Sequence, residues 1–154
     1  MKKSAGILLY RLKGKLTEFF LVHPGGPFWK NKDAGAWSIP KGEFTGEEKP
    51  LDAAIREFNE ETGIPVSGDF IELSPVKLKS GKLVHAWAVE GEIDTGAIKC
   101  ETFIKVEWPP RSGKFLSVPE VDRGEWFSVD EAKTKVNPAQ VDLINELIQK
   151  LDAG

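Results

Sequence analysis

The chain has 154 residues, 40% hydrophobic and 29% charged, with a net charge of −3. That is enough chain for one sizeable core, and the acidic balance argues against broad nucleic-acid binding. The single cysteine, Cys100, excludes an internal disulfide and fits a reducing cytoplasm. No apolar stretch is long enough to span a bilayer, so no membrane partner is expected.

Without repeats or a linker, the simplest organisation is one domain over residues 1–154. Ser4–Leu12 reads as a strand, Lys13-Gly14-Lys15 as its turn and Thr17–His23 as the hairpin partner. An irregular loop follows from Pro24 to Asp33. Trp37–Pro40 reads as a short strand running into Lys41-Gly42.

Pro50–Thr62 reads as a helix, with Pro50 in the first turn and Gly63 at the left-handed stop. Thr45 and Glu48 have the spacing of a capping box. At roughly 100° per residue, Leu51, Ala54, Ile55, Phe58 and Thr62 share one face, expected to meet the core. Glu57 and Glu61 lie one turn apart on a neighbouring face with Glu60 beside them, while Arg56 and Glu60 form an i,i+4 pair.

Phe70–Lys79 and Lys82–Ile93 read as a hairpin through Ser80-Gly81, and Thr102–Trp108 as a further strand followed by a loop over Pro109–Lys114. Glu125-Trp126-Phe127 is a last short strand. Ser128 is expected to cap a short helix, and Asn137-Pro138 to start a C-terminal helix through Leu151. Val141, Ile144, Leu147, Ile148 and Leu151 make its apolar stripe, which core packing explains fully.

The stretch Gly42–Ile64 carries most of the chemistry. Close carboxylates repel, and Mg²⁺ or Mn²⁺ compensates them while leaving coordination sites for phosphate and water. Acidic runs on helices are commonly plain solvated faces. The glycine, Glu48 and Arg56-Glu57 at their set spacings separate this one from that class.

Gly42, Glu48, Arg56, Glu57, Phe58, Glu60, Glu61, Gly63 and Ile64 resemble the Nudix box at every defining position, over 23 residues. The resemblance implies an α/β/α sandwich with a mixed β-sheet, and metal-dependent hydrolysis of a nucleoside diphosphate derivative. It makes Glu57 and Glu61 the principal ligands of Mg²⁺ or Mn²⁺, Glu60 a further one, and the carbonyl near Gly42 an oxygen donor. Arg56 would orient the glutamates, and Glu48 would support the site or a second metal. A later-loop glutamate serves many members as ligand or base; Glu120 is the best match and Glu125 its competitor. The proton acceptor stays open between Glu57 and Glu120.

Lys41 is placed to approach a phosphate as a point charge, and Phe28 and Trp29, interleaved with Lys30 and Lys32, to stack on a base. Covering the core is the competing role for the two aromatics. Arg111 and Lys114 form a weaker phosphate candidate. His23 and His85, each in a strand, are read as structural.

Trp37-Ser38-Ile39-Pro40-Lys41-Gly42 resembles the lead-in of diadenosine-tetraphosphate hydrolases, and the loop from His23 to Trp29 resembles small bacterial predicted nucleoside-triphosphate pyrophosphohydrolases. A nucleoside triphosphate or a dinucleoside polyphosphate is therefore the expected substrate. Two alternatives stand beside it: RNA 5′-end pyrophosphohydrolysis, to which Pro119–Asp122 has a resemblance, and nucleotide sensing without hydrolysis. A homodimer through the N-terminal hairpin or a sheet edge is compatible with the chain.

Overall fold

The computed structural model describes residues 2–153. Strands β1 (Lys3–Lys13) and β2 (Leu16–Pro24) form the expected hairpin, and β3 (Lys41–Glu43) pairs with the first half of β1. Helix α1 (Pro50–Thr62) leads to β4 (Ile71–Lys77) and β5 (Leu83–Glu90). Then come β6 (Phe103–Glu107), β7 (Phe115–Pro119), β8 (Val121–Ser128), α2 (Val129–Lys135) and α3 (Val141–Ala153).

The main sheet runs β4-β5-β1-β2-β8, with β3 beside β1. Only β1 and β5 are parallel among its pairs, so the sheet is mixed. The β6–β7 ribbon forms a separate two-stranded sheet.

β1 is an unbroken apolar run because both sheet faces are covered. Ile7 and Leu9 point to a core with Phe20, Val22, Ala53, Ala54 and Phe58, under α1. Leu8 and Tyr10 point to the opposite core with Phe19, Leu21, Trp37, Leu143, Ile144 and Leu147, under α2 and α3. Period-two alternation in β1 and β2 thus feeds both layers. The outcome is the α/β/α sandwich expected from the box. None of the described helices is long and apolar enough to cross a membrane.

Several local expectations are corrected. Trp37–Pro40 makes only isolated bridges, Trp37 to Val136 and Ser38 to Val22, and the strand begins at Lys41. Phe115–Pro119, to which no element is assigned from sequence, gains a ladder by pairing with β6. The capping box does not form. Lys49 is the N-cap without a side-chain bond, and the Glu48 carboxylate turns instead to Arg56. Asn137 caps a 3-10 turn over Pro138–Gln140, which hands over to α3 at Val141. Ser128 caps α2 as expected, accepting from the Glu131 N–H.

Candidate functional site

β3 and the sheet-facing side of α1 build one wall. Gly63 stops the helix in the left-handed conformation at φ 73° and donates its N–H to the Asn59 carbonyl. The buried face of α1 is rotated from the expected one: Leu51 and Ile55 are only partly buried, whereas Glu57 and Glu61 are buried. Gly42 explains how a carboxylate fits there. A Cβ on that residue would lie 2.0 Å from the Glu57 carboxyl carbon and 2.1 Å from Oε2. Its role is therefore space, and any side chain at this position would expel Glu57.

Arg56 organises the carboxylates around it. Its Nε donates to Glu48 at 2.8 Å and its Nη2 to the other Glu48 oxygen at 2.9 Å, a bidentate pair. Its Nη1 donates to both Glu57 and Glu60 at 3.1 Å. These contacts raise the guanidinium's affinity for its proton, the Glu48 bond most, and hold the Glu48 carboxyl below its ordinary range. The planar fork reaches all three glutamates at once, which a lysine ammonium does not.

Glu61 accepts the Lys41 backbone N–H at 3.3 Å. Burial, then the charges of Glu120 and Glu57, push its carboxyl well above the carboxylate range. Burial followed by Glu60 pushes Glu57 in the same direction, with Arg56 opposing. Burial lowers the affinity of the Lys41 ammonium for its proton, and the charge of Glu61 counters it. This end of the site concentrates negative charge with little water to screen it, which is a cation's environment.

Lys41, Glu61 and Glu120 line a cavity of about 240 Å³. Trp29, Trp37, Leu78, Ser38, Asn137 and Gln140 line the remainder. Gln140 is fixed by accepting from the Ile39 N–H and donating to Ser38, both at 3.0 Å. Asn137 accepts the Ala139 N–H on Oδ1, so its amide nitrogen is the group left to donate. These four polar and apolar positions, Ser38, Leu78, Asn137 and Gln140, escaped the sequence reading. Asn137-Pro138 carried only a helix-start signal, and the others carried none.

Of the expected residues, Gly42, Arg56, Glu57, Glu60 and Glu61 meet around β3 and α1, and Lys41 and Glu120 join them at the cavity. Trp29 lines that cavity, but Phe28 does not. Phe28 is 56% exposed, with the Lys32 ammonium 4.7 Å from its ring, and borders a separate cavity. Glu125 sits exposed on β8 beside Arg123, at 3.9 Å, away from the cavity. Arg111 and Lys114 occupy the exposed β6–β7 turn. Among the described residues no three carboxylate, histidine or cysteine side chains converge as a complete ion cage. The carboxylates take the Arg56 and Lys41 partners just described.

His23 is fully buried, donates from Nε2 to the Lys32 carbonyl at 2.7 Å, and keeps Nδ1 3.0 Å from Asp122. It thereby ties the loop that carries Trp29 to the strand following Glu120. His85 rests edge-on against Phe44, 6.2 Å between ring centres.

Solved structures share this arrangement of elements. An Ap4A hydrolase from C. elegans, in a binary complex, is 19% identical with a TM-score of 0.67, covering 98% of this chain and 99% of that one. The NUDIX domain of Shewanella oneidensis NrtR complexed with ADP ribose is 16% identical, TM-score 0.66, over 97% and 87%. A NUDIX hydrolase from Nitrosomonas europaea is 18% identical, TM-score 0.61, over 99% and 89%. At these identities the likeness is one of fold. The family model of the NUDIX domain matches residues 1–147. With the box, the sandwich and that match in agreement, the chain belongs to the NUDIX family.

Proposed function

We propose that the chain is a Mg²⁺-dependent pyrophosphohydrolase, with Mn²⁺ as a substitute, acting on a nucleoside triphosphate or a dinucleoside polyphosphate. The observation that carries this reading is the cavity itself. It brings Glu61, Glu120 and Lys41 together with the indole rings of Trp29 and Trp37 and the carboxamides of Asn137 and Gln140.

The donor set fits a hard divalent cation. Glu57 and Glu61 are buried oxygen donors whose charged forms are disfavoured by burial, and Gly42 leaves the room that Glu57 occupies. Glu57 and Glu61 would hold the ion, with Glu60, Glu120 and the Gly42 carbonyl as further donors. An ion held there would neutralise phosphate oxygens and would make the attacking water more acidic.

The chain's own residues do the rest. Arg56 orients Glu57 and Glu60 through the Nη1 bonds, and Lys41 brings positive charge to the phosphates. Trp29 offers a face to the base, and the Asn137 amide donates to one of its acceptors. Water attacks a phosphorus of the pyrophosphate link, its proton goes to Glu120 or Glu57, and the phosphate on the far side leaves.

A product-resolved screen tests this, using nucleoside triphosphates, dinucleoside polyphosphates, ADP-ribose and triphosphorylated RNA with Mg²⁺ and Mn²⁺. Turnover of a free nucleotide or dinucleotide is expected, with Glu57→Gln lowering it roughly 10²–10⁴-fold while circular dichroism stays unchanged. Undiminished turnover in Glu57→Gln would sink the assignment of the site. Tight nucleotide binding with a blank panel would replace hydrolysis by sensing.

A further inference from the structure

The β6–β7 ribbon stands apart from the main sheet, and Phe103, Ile104, Phe115 and Leu116 on it are four of the seven exposed large apolar residues among those described. Two strands alone are marginal in water, and their open edges are templates for pairing. We propose that the outer edge of β6 pairs antiparallel with the same edge of a second copy of this chain. The two ribbons then form one four-stranded sheet about a twofold axis at Val106.

The ladder leaves a defined set of backbone groups free. Trp108 donates its N–H to the Lys114 carbonyl at 2.9 Å, and Glu120 donates to the Thr102 carbonyl at 3.1 Å. Even-numbered residues of β6 therefore bond inward to β7, and the N–H and C=O groups of Phe103, Lys105 and Glu107 face away from it. Among the described residues no third strand joins the ribbon. Lys105 and Glu107 are both exposed. The outer edge of β7 pairs less well, because Pro119 has no N–H to give. In the main sheet, β4 carries Pro75 and its free edge is capped by α3. There Glu146 accepts the Ser74 N–H at 2.8 Å, and Lys150 donates to the Glu72 carbonyl at 2.9 Å.

The charges select a second copy and its register. Lys105 and Glu107 sit two apart on one strand, so their side chains share a face. Pairing centred on Val106 sets Lys105 of each copy opposite Glu107 of the other, which makes two cross-strand ion pairs. The Arg111 and Gly113 N–H groups, at 3.2 and 3.0 Å, already hold the Glu107 carboxylate in place. On the opposite face, the cross-strand pair of Val106 and Leu116 meets its own copy across the axis and covers apolar surface. A slip of two residues either way would set Lys105 against Lys105 or Glu107 against Glu107, which disfavours those registers.

An edge of five residues makes a small interface, so dimerisation depends on concentration. Sedimentation velocity on the full chain, from about 1 μM to about 1 mM, should show a monomer–dimer equilibrium. Lys105→Glu and Glu107→Lys, each alone, put like charges opposite and should weaken the dimer roughly tenfold or more. An equimolar mixture of the two variants should restore it, because the exchanged charges then meet across the axis. Hydrogen exchange in the unaltered chain gives a second readout. The Lys105 and Glu107 N–H groups should slow as the dimer forms, whereas those of Phe115 and Ser117, on the outer edge of β7, should not. A chain that stays monomeric, a dimer untouched by both substitutions, or a mixture of folded variants no tighter than either alone overturns the pairing. So do unprotected Lys105 and Glu107 amides in the dimer, and this result decides alone if Glu107→Lys disrupts the turn. Growth beyond the dimer overturns the closed twofold assembly.

Discussion

Helices α1 and α3 are both 13 residues long and cover opposite faces of the same sheet. α3 lays Leu143, Ile144 and Leu147 on it, all at most 1% exposed. α1 places Phe58, Ala53 and Ala54 there but spends two further buried positions on Glu57 and Glu61. Burying a carboxylate costs free energy that burying leucine releases. The difference therefore marks α1 as the helix whose sequence is bent toward chemistry and α3 as the one that holds the fold.

The comparison breaks most sharply at Gly42. Gly42→Ala puts a methyl group where the Glu57 carboxylate lies, so turnover should fall roughly as far as in Glu57→Gln, about 10²-fold or more, although no acidic group is removed. Steady-state kinetics at saturating Mg²⁺ checks this; an active Gly42→Ala enzyme would mean that Glu57 is not needed at that position. On the other helix, Leu147→Ala should lower stability by about 2–5 kcal/mol in urea unfolding and leave kcat of the folded fraction unchanged. A change in kcat larger than the change in folded fraction would remove the division of labour.

Arg56→Lys keeps the charge but loses the fork that joins Glu48, Glu57 and Glu60. Metal affinity or kcat/KM is expected to drop about 10–100-fold, with a melting temperature close to that of the unaltered chain. A Mg²⁺ titration separates the two, since an arginine that only stabilises the fold would shift melting and spare affinity.

The smallest effect sharpens the contrast through pH. The Glu61 carboxyl is raised, by burial first, so the folded chain holds a proton that the unfolded chain releases just above the ordinary value of about 4.3. That contribution is present at low pH and is lost as pH rises through the raised value. In EDTA at neutral pH, Glu61→Gln should therefore melt higher, by roughly 2–4 °C for each 1 kcal/mol relieved, and show a flatter pH dependence. A lower melting point would show that the ionised carboxylate stabilises the fold. An equivalent change on α3, Glu146→Gln, removes only exposed contacts to Ser74 and Lys150 and should leave melting nearly unchanged.

Local signals carried far along this chain. The unbroken apolar run of β1, the Lys13–Lys15 turn, the stop at Gly63 and the cap at Ser128 all follow from neighbouring residues, because alternation, left-handed glycine and capping are short-range effects. The box spacing alone placed Arg56, Glu57, Glu60 and Glu61 on adjacent turns of one helix and pointed to their family. Tertiary structure decided what those turns face. Helical period defines a stripe, but only packing against β1 and β3 rotates it so that Glu57 and Glu61 are buried and Leu51 and Ile55 are not. It also paired Phe115–Pro119 with β6 as a strand and brought Glu120, Asn137, Trp29 and Lys41 to one cavity. Phe28 packs edge-on against Trp29 and borders the neighbouring cavity instead. Those placements rest on packing between separate elements of the chain, whose geometry no local pattern encodes.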